Sequence, residues 1–123
     1  MTALGWVNNI SLIVHILSVV GILVLLLTQA TKKSRVIPVG TLHAALTALV
    51  AGGLMVGIRN SLHGQDAVKW EEFDQAKVGV KFLILGVIIY LIVKYQKRAE
   101  VKTAVWLSLI GLTIANILIA VLW

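Results

Sequence analysis

The sequence has no cysteine, a single proline and little charge. Of its 123 residues only 13% are charged, whereas a soluble domain carries about 25%. The absence of cysteine excludes disulfides and thiolate metal sites. Hydrophobic residues make up 59% of the chain, which is too many for the core of so small a soluble domain. The composition therefore predicts a single domain that lies in a membrane.

Sequence motifs that carry chemistry are also absent. There is no phosphate-binding loop, zinc-binding helix or serine-nucleophile motif. No Asp or Glu lies within an apolar segment, so a proton or cation relay lacks its main group. Pro38 stands at the start of an apolar segment and interrupts no helix, unlike the broken helices of transporters. We expect no catalytic residues and no metal site.

The charge that is present is mostly positive, with a formal net charge of +6. Basic proteins often bind nucleic acid, but that function requires a solvated basic face. Here the basic residues stand in short runs beside apolar segments, a pattern typical of contact with anionic lipid headgroups. We expect a lipid bilayer as the partner and no nucleic acid.

Four apolar segments are long enough to span a membrane, which takes roughly 20 residues of helix. They run from about 6 to 29, 36 to 58, 77 to 93 and 101 to 123. The ends of these segments carry aromatic residues of the kind that anchor at membrane interfaces: Trp6, Trp70, Tyr95, Trp106 and Trp123. Because the connections are short, sequential helices should pack antiparallel. The sequence predicts an all-α integral membrane four-helix bundle with up-down-up-down topology.

The distribution of Lys and Arg predicts the orientation of this bundle. The first and third connections hold seven of the basic residues: Lys32, Lys33, Arg35, Lys94, Lys97, Arg98 and Lys102. The second connection is longer and contains most of the acidic residues. Since basic loops stay in the cytoplasm, we expect a multi-pass protein of the cell (inner) membrane with both termini extracytoplasmic.

Small residues recur at helical spacing in the second and third segments. In lipid, close contact between helices depends on small residues and interhelical hydrogen bonds. The positions of this kind are Gly40, Ala44, Ala48, Gly52, Gly53 and Gly57, followed by Gly79 and Gly86. Asn116 is polar at membrane depth and should bond to a neighbouring helix. These residues predict either a packing seam within the chain or a surface for a partner's helix.

Ionisable residues at membrane depth are candidates for function, and His15, His43 and Lys77 are the main ones. Two histidines on neighbouring helices raise the possibility of haem b. At about 1.5 Å per residue, however, the predicted depths of the two differ by about 9 Å. The alternative is that each imidazole hydrogen-bonds a neighbouring helix. Lys81, one turn beyond Lys77, is a further cation in the third segment.

One part of the chain resembles a known enzyme family. The run from Trp70 to Tyr90, in which Ala76-Lys77-Val78 opens an apolar helix, is similar to the third helix of the HemJ-type protoporphyrinogen oxidases. His15 is placed like the histidine of that family's first helix. The resemblance implies His15 and Lys77 as a functional pair, with haem or porphyrin as the ligand. The family's Pro-Arg and aromatic segment is replaced here by the stretch 25–35.

In its form, the whole chain resembles the accessory subunits of bacterial respiratory supercomplexes, notably the actinobacterial association factors. The similarity lies in four helices, small loops and small-residue seams. It implies a non-catalytic accessory or scaffold subunit that packs against other membrane protein subunits. The alternative function is binding of haem, porphyrin or quinone through His15, His43 or Lys77.

Overall fold

The structure is a computed structural model that describes residues 3–68 and 75–122. It consists of four α-helices: α1 (Ala3–Leu27), α2 (Thr41–Gln65), α3 (Gln75–Tyr95) and α4 (Thr103–Leu122). Each is long and apolar enough to cross a membrane. The predicted all-α four-helix bundle of a multi-pass membrane protein is confirmed. Two of the aromatic residues expected at the interfaces, Trp70 and Trp123, lie outside the described residues.

Helix α2 lies further along the chain than the apolar pattern indicates. Gly40 has a φ of 95°, a left-handed conformation that favours glycine. The amide of Thr41 bonds to the carbonyl of Pro38 at 3.2 Å, so the chain turns before the helix begins. At the other end α2 continues through polar residues to Gln65, where Asp66 follows in an extended conformation. Helix α2 therefore begins five residues after the start of the predicted span of 36–58 and continues seven residues beyond its end.

The helices form a closed ring in which each contacts its two neighbours. Helix α1 packs against α2 and α4, and α3 packs against the same two helices. The pairing of α1 with α2 is the most extensive, and within the described residues no Cα atoms of the diagonal pairs come within 8 Å of each other. We name the end with residues 28–40 and 96–102 the basic end. The opposite end, where α1 begins and α4 stops, is the terminal end.

Apolar side chains fill the ring in its basic half. A cluster of buried residues there contains Ile22, Leu26, Ile37, Ala45, Ile88, Ile92, Val101, Trp106 and Leu109. A second, smaller cluster of Val19, Ala48 and Leu85 lies next to it, toward the middle of the bundle. All four helices contribute residues to the first cluster, so the basic half has a continuous core.

Arg35 closes the basic end. Its guanidinium donates hydrogen bonds to the carbonyls of Gln29 and Ala30 at 3.1 and 3.0 Å, and to Thr103 Oγ1 at 3.2 Å. It also lies 4.4 Å from the centre of the Trp106 ring, within the range of a cation–π interaction. The Arg35 carbonyl accepts a bond of 2.7 Å from the amide of Val101. The side chain of Arg35 thus ties the first connection to α4, and its backbone carbonyl ties it to the third connection.

Trp106 is part of the same arrangement. Its indole Nε1–H donates to the carbonyl of Leu26 at 2.8 Å, in a buried position. The sequence indicates Trp106 as an anchor at the membrane interface, and Arg35 as one of several cytoplasmic charges. The structure shows both as connections between helices, because their donors reach carbonyls at the end of α1 and just after it, where the regular helical hydrogen bonding stops.

Toward the terminal end, polar side chains are buried alongside the apolar Met55 and Leu62 of α2. The buried side chains of α1 there are Asn8 and Ser11, and that of α4 is Asn116. Asn8 is 3% exposed and Asn116 is 4% exposed. Neither the Oδ1 of Asn8 nor that of Asn116 has a hydrogen-bond partner in the described part of the chain. The two halves of the bundle therefore differ in chemistry.

Candidate functional site

His15 joins α1 to α2 near the boundary between these halves. Its Nδ1 lies 2.7 Å from the carbonyl oxygen of Ala48. A carbonyl oxygen only accepts hydrogen bonds, so Nδ1 must carry the proton. In the neutral imidazole, Nε2 then keeps a free lone pair and can accept a hydrogen bond or bind a ligand. The expected bond from a histidine to a neighbouring helix is thus present for His15.

Gly52 makes room for the His15 ring. A Cβ atom at this position would lie 3.2 Å from His15 Cε1 and 3.5 Å from Cζ of Phe82. The first distance is shorter than an ordinary van der Waals contact, so a larger residue would push the imidazole away. Three helices therefore meet here: His15 of α1, Gly52 of α2 and Phe82 of α3.

The lysine whose charge acts on His15 is Lys81 of α3. Lys81 is half-buried and lies one turn deeper than Lys77. Lys77 is also half-buried, in the first turn of α3. The structure therefore brings Lys81 into electrostatic range of His15, and Lys77 acts in turn on Lys81. The sequence shows both cations, but only the packing of the helices decides that the charge of Lys81 acts on His15.

His43 occupies a different environment from His15. It is an exposed residue in the first turn of α2, closer to the end of its helix than the sequence indicates. Its side chain lines an apolar groove between α1 and α2. The two histidines therefore do not face each other: one is turned into the bundle and the other lies on its outside.

This placement does not fit a haem held between the two histidines. Axial ligands must approach one iron from opposite sides. Here His15 is bonded to Ala48, which lies about 7.5 Å along the α2 axis from His43 at about 1.5 Å per residue. His43 faces the outer groove, so the imidazoles share no common space.

Asn116 does not form the interhelical bond expected of it through its carbonyl. The residue is buried in α4, as its apolar surroundings in the sequence indicate. Its Oδ1 nevertheless stays without a partner in the described residues. A buried unpaired carbonyl costs about 1–3 kcal/mol relative to a paired one. Asn116 and Asn8 therefore leave two unused acceptors in the terminal half.

The small residues predicted for helix packing fall into three groups. Ala48 and Gly52 are buried in the bundle, and Ala44 is half-buried against its core. Gly40 lies outside the helix and serves the turn before α2. The remaining glycines are exposed, and nothing lies within 4 Å of where a Cβ would be: Gly53, Gly57, Gly79 and Gly86. Only part of the predicted set is used within the chain.

Comparison with known proteins adds no relationship. No family model matches the chain. No curated protein and no solved structure matches it either. The function must be inferred from the placement of these residues.

Proposed function

We propose that this chain is a non-catalytic accessory subunit that packs against a larger membrane complex. The main support for this proposal is the exposure of Gly53 and Gly57 on the outer face of α2. These glycines are one helical turn apart and exposed, and no atom of the described chain comes within 4 Å of a Cβ position on either. Adjacent Gly52, by contrast, is filled by His15.

A pair of glycines one turn apart lets two helix backbones approach closely in lipid. Lipid tails gain nothing particular from such a pair, and each glycine costs up to about 1 kcal/mol of helix propensity relative to alanine. The loss is compensated when another helix occupies the space. The respiratory supercomplex is the assembly indicated by the chain's resemblance in form, and it is the partner we propose.

The proposed location is the cell (inner) membrane, with the basic end in the cytoplasm. In support, Arg35 and Val101 are bonded to each other, so the first and third connections lie at one end. Basic side chains therefore collect at that end, as the positive-inside rule requires. The chain has no cysteine, so a cysteine introduced at Lys33 or Gln65 reports by labelling on which side each end lies.

The test is a double variant, Gly53→Leu with Gly57→Leu, in a tagged chain expressed in its native membrane. We expect partner subunits recovered with the variant to fall about tenfold, a change of about 1.4 kcal/mol in association. Gly111→Leu is the matched control, because Gly111 is equally open but lies on α4, across the ring from α2. Recovery equal to that of the control would contradict the proposal.

The kind of partner follows from a reduced-minus-oxidised absorption spectrum of the purified assembly. Several cytochrome bands of different types would support a respiratory complex. Recovery of partner subunits without cytochrome bands would support the accessory function but contradict a respiratory partner. A single b-type band at one haem per chain would contradict both, and would favour ligand binding by the chain itself.

Binding of haem, porphyrin or quinone is the second candidate function. It is favoured by His15, whose Nδ1 bond to Ala48 leaves Nε2 free to accept, and by the nearby charge of Lys81. In this case His15→Ala would abolish the bound ligand and its spectrum. For the accessory function the same substitution should change partner recovery little.

A further inference from the structure

An apolar groove of about 480 Å³ runs along the outside of the bundle between α1 and α2. Ile10 and Val14 form its α1 wall, and Val50 and Leu54 are part of its α2 wall. The side chain of His43 lines the groove nearest the basic end. Neither Gly53 nor Gly57 is among its lining residues, although Gly53 is the neighbour of Leu54 in the chain.

The length of the groove matches one leaflet of a bilayer. From His43 to Leu54 it extends about 16 Å along α2, at about 1.5 Å per residue. The hydrocarbon core of a bilayer is about 30 Å thick, so one leaflet accounts for about half of that. An apolar channel of this length, open to the side, is suited to a single acyl chain that enters from the basic end.

The connection between the two walls of the groove carries positive charge. Lys32 and Lys33 are exposed in the connection that joins α1 to α2, which are the two walls of the groove. His43 adds an imidazole that can hydrogen-bond to a phosphate. The connection 28–40 contains no acidic residue. The headgroup expected there is an anion.

We propose that this groove binds one anionic phospholipid, with an acyl chain along Val14 and Val50 and the phosphate near His43, Lys32 and Lys33. The lipid covers apolar side chains of α1 and α2 that the bundle leaves exposed. The groove and the glycines Gly53 and Gly57 lie on the same helix, and lipid binding can be measured on the isolated chain without partner subunits.

The experiment is native mass spectrometry of the delipidated full chain, titrated with phosphatidylglycerol and with phosphatidylcholine of the same acyl chains. We expect one phosphatidylglycerol to bind with an apparent Kd at least about fivefold lower than that of phosphatidylcholine, since each nearby Lys contributes to attraction of an anionic headgroup. Lys32→Gln with Lys33→Gln should remove this preference. Lys97→Gln, in the other basic connection, should keep it.

Val50→Trp tests the groove itself. Val50 is 62% exposed, so the indole can occupy the groove without disturbing the core. We expect the bound phosphatidylglycerol to be lost. Leu83→Trp is the control, because Leu83 is 69% exposed on α3 and lies outside the groove. Unchanged helical content by circular dichroism shows that both variants are folded.

Three results would overturn the proposal. The first is equal binding of the two lipids by the unsubstituted chain. The second is equal retention of phosphatidylglycerol by Val50→Trp and Leu83→Trp. The third is a lipid-free dimer of the unsubstituted chain that Val50→Trp converts to a monomer, because the groove would then hold a helix of a second copy.

Discussion

The basic half and the terminal half of this bundle are built differently. In the basic half, buried Ile, Leu and Val side chains fill the ring, and Arg35 and Trp106 bond the first connection, α1 and α4 together. In the terminal half the buried residues include Asn8, Ser11 and Asn116. The Oδ1 atoms of Asn8 and Asn116 there have no partner in the described chain, and in the basic half the buried Oγ1 of Thr41 has none either.

The difference shows which half of the bundle is held together by interactions within the chain. A side chain with several charge-assisted bonds fixes geometry, because its acceptors on different segments must keep their positions for all the bonds to form. Unpaired acceptors do the opposite: they weaken the fold and stay available for water, a ligand or another subunit. The candidate residue His15 lies near the point where the first kind of interior gives way to the second.

The largest effect is expected at the basic end, from Arg35→Ala. The substitution removes three hydrogen bonds and the cation–π contact with Trp106. We expect the free energy of unfolding in detergent micelles to fall by about 2–3 kcal/mol. Arg35→Lys should lose part of this, because an ammonium has no planar fork.

Lys33→Ala is the control for Arg35, since Lys33 is an exposed residue of the same connection. Its effect should stay within about 0.5 kcal/mol. Equal effects of the two substitutions would show that Arg35 acts only as a cytoplasmic charge, and the contrast between the two halves would lose its main support.

A smaller effect is expected from two adjacent glycines of α2. Gly52→Ala and Gly53→Ala gain the same helix propensity, up to about 1 kcal/mol. A methyl group at Gly52 meets the His15 ring, which is held by Ala48, whereas one at Gly53 meets nothing within 4 Å. Gly52→Ala should therefore be less stable than Gly53→Ala by about 1–2 kcal/mol in chemical unfolding.

If the two alanine variants are equally stable, the His15 ring moves freely and does not join α1 to α2. Gly52→Leu is a poorer test of partner binding than Gly53→Leu for the same reason. At Gly52 a bulky residue disrupts the contact between α1 and α2 before any partner is involved.

The smallest effect is expected in the terminal half, from Asn116→Leu. Leucine has a similar size and removes a buried carbonyl that has no partner in the described residues. We expect the free energy of unfolding to rise by up to about 1 kcal/mol. Thr113→Val, one turn earlier, removes a hydroxyl that bonds the Leu109 carbonyl at 2.8 Å, and should lower it by about 0.5 kcal/mol.

If Asn116→Leu lowers the free energy of unfolding instead, the Oδ1 of Asn116 is paired in the membrane, by water or by a bound molecule. The measurement should then be repeated on protein stripped of lipid. A loss that disappears after stripping would assign the partner to a bound molecule.

Much of the fold follows from the sequence alone. Four segments of about 20 apolar residues separated by short polar connections have few alternatives in a bilayer, because every backbone group must be bonded within its own helix. His15 and Asn116 can also be identified from the sequence, because polar groups are rare at membrane depth. The start of α2 was less predictable, because the left-handed turn at Gly40 is a local conformation that hydropathy does not report.

The tertiary structure alone decided which residues meet. Composition shows that Gly52 and Gly53 are both small, but rotation about the helix axis turns the first toward His15 and the second outward. It also places His43 in a groove, away from His15, and brings the charge of Lys81 to act on the imidazole. Arg35 stands in a run of like charges, and its bond to Thr103 becomes apparent only when the two basic connections lie together. Spacing along the chain fixes what each helix contains, whereas its rotation and neighbours fix what each side chain can touch.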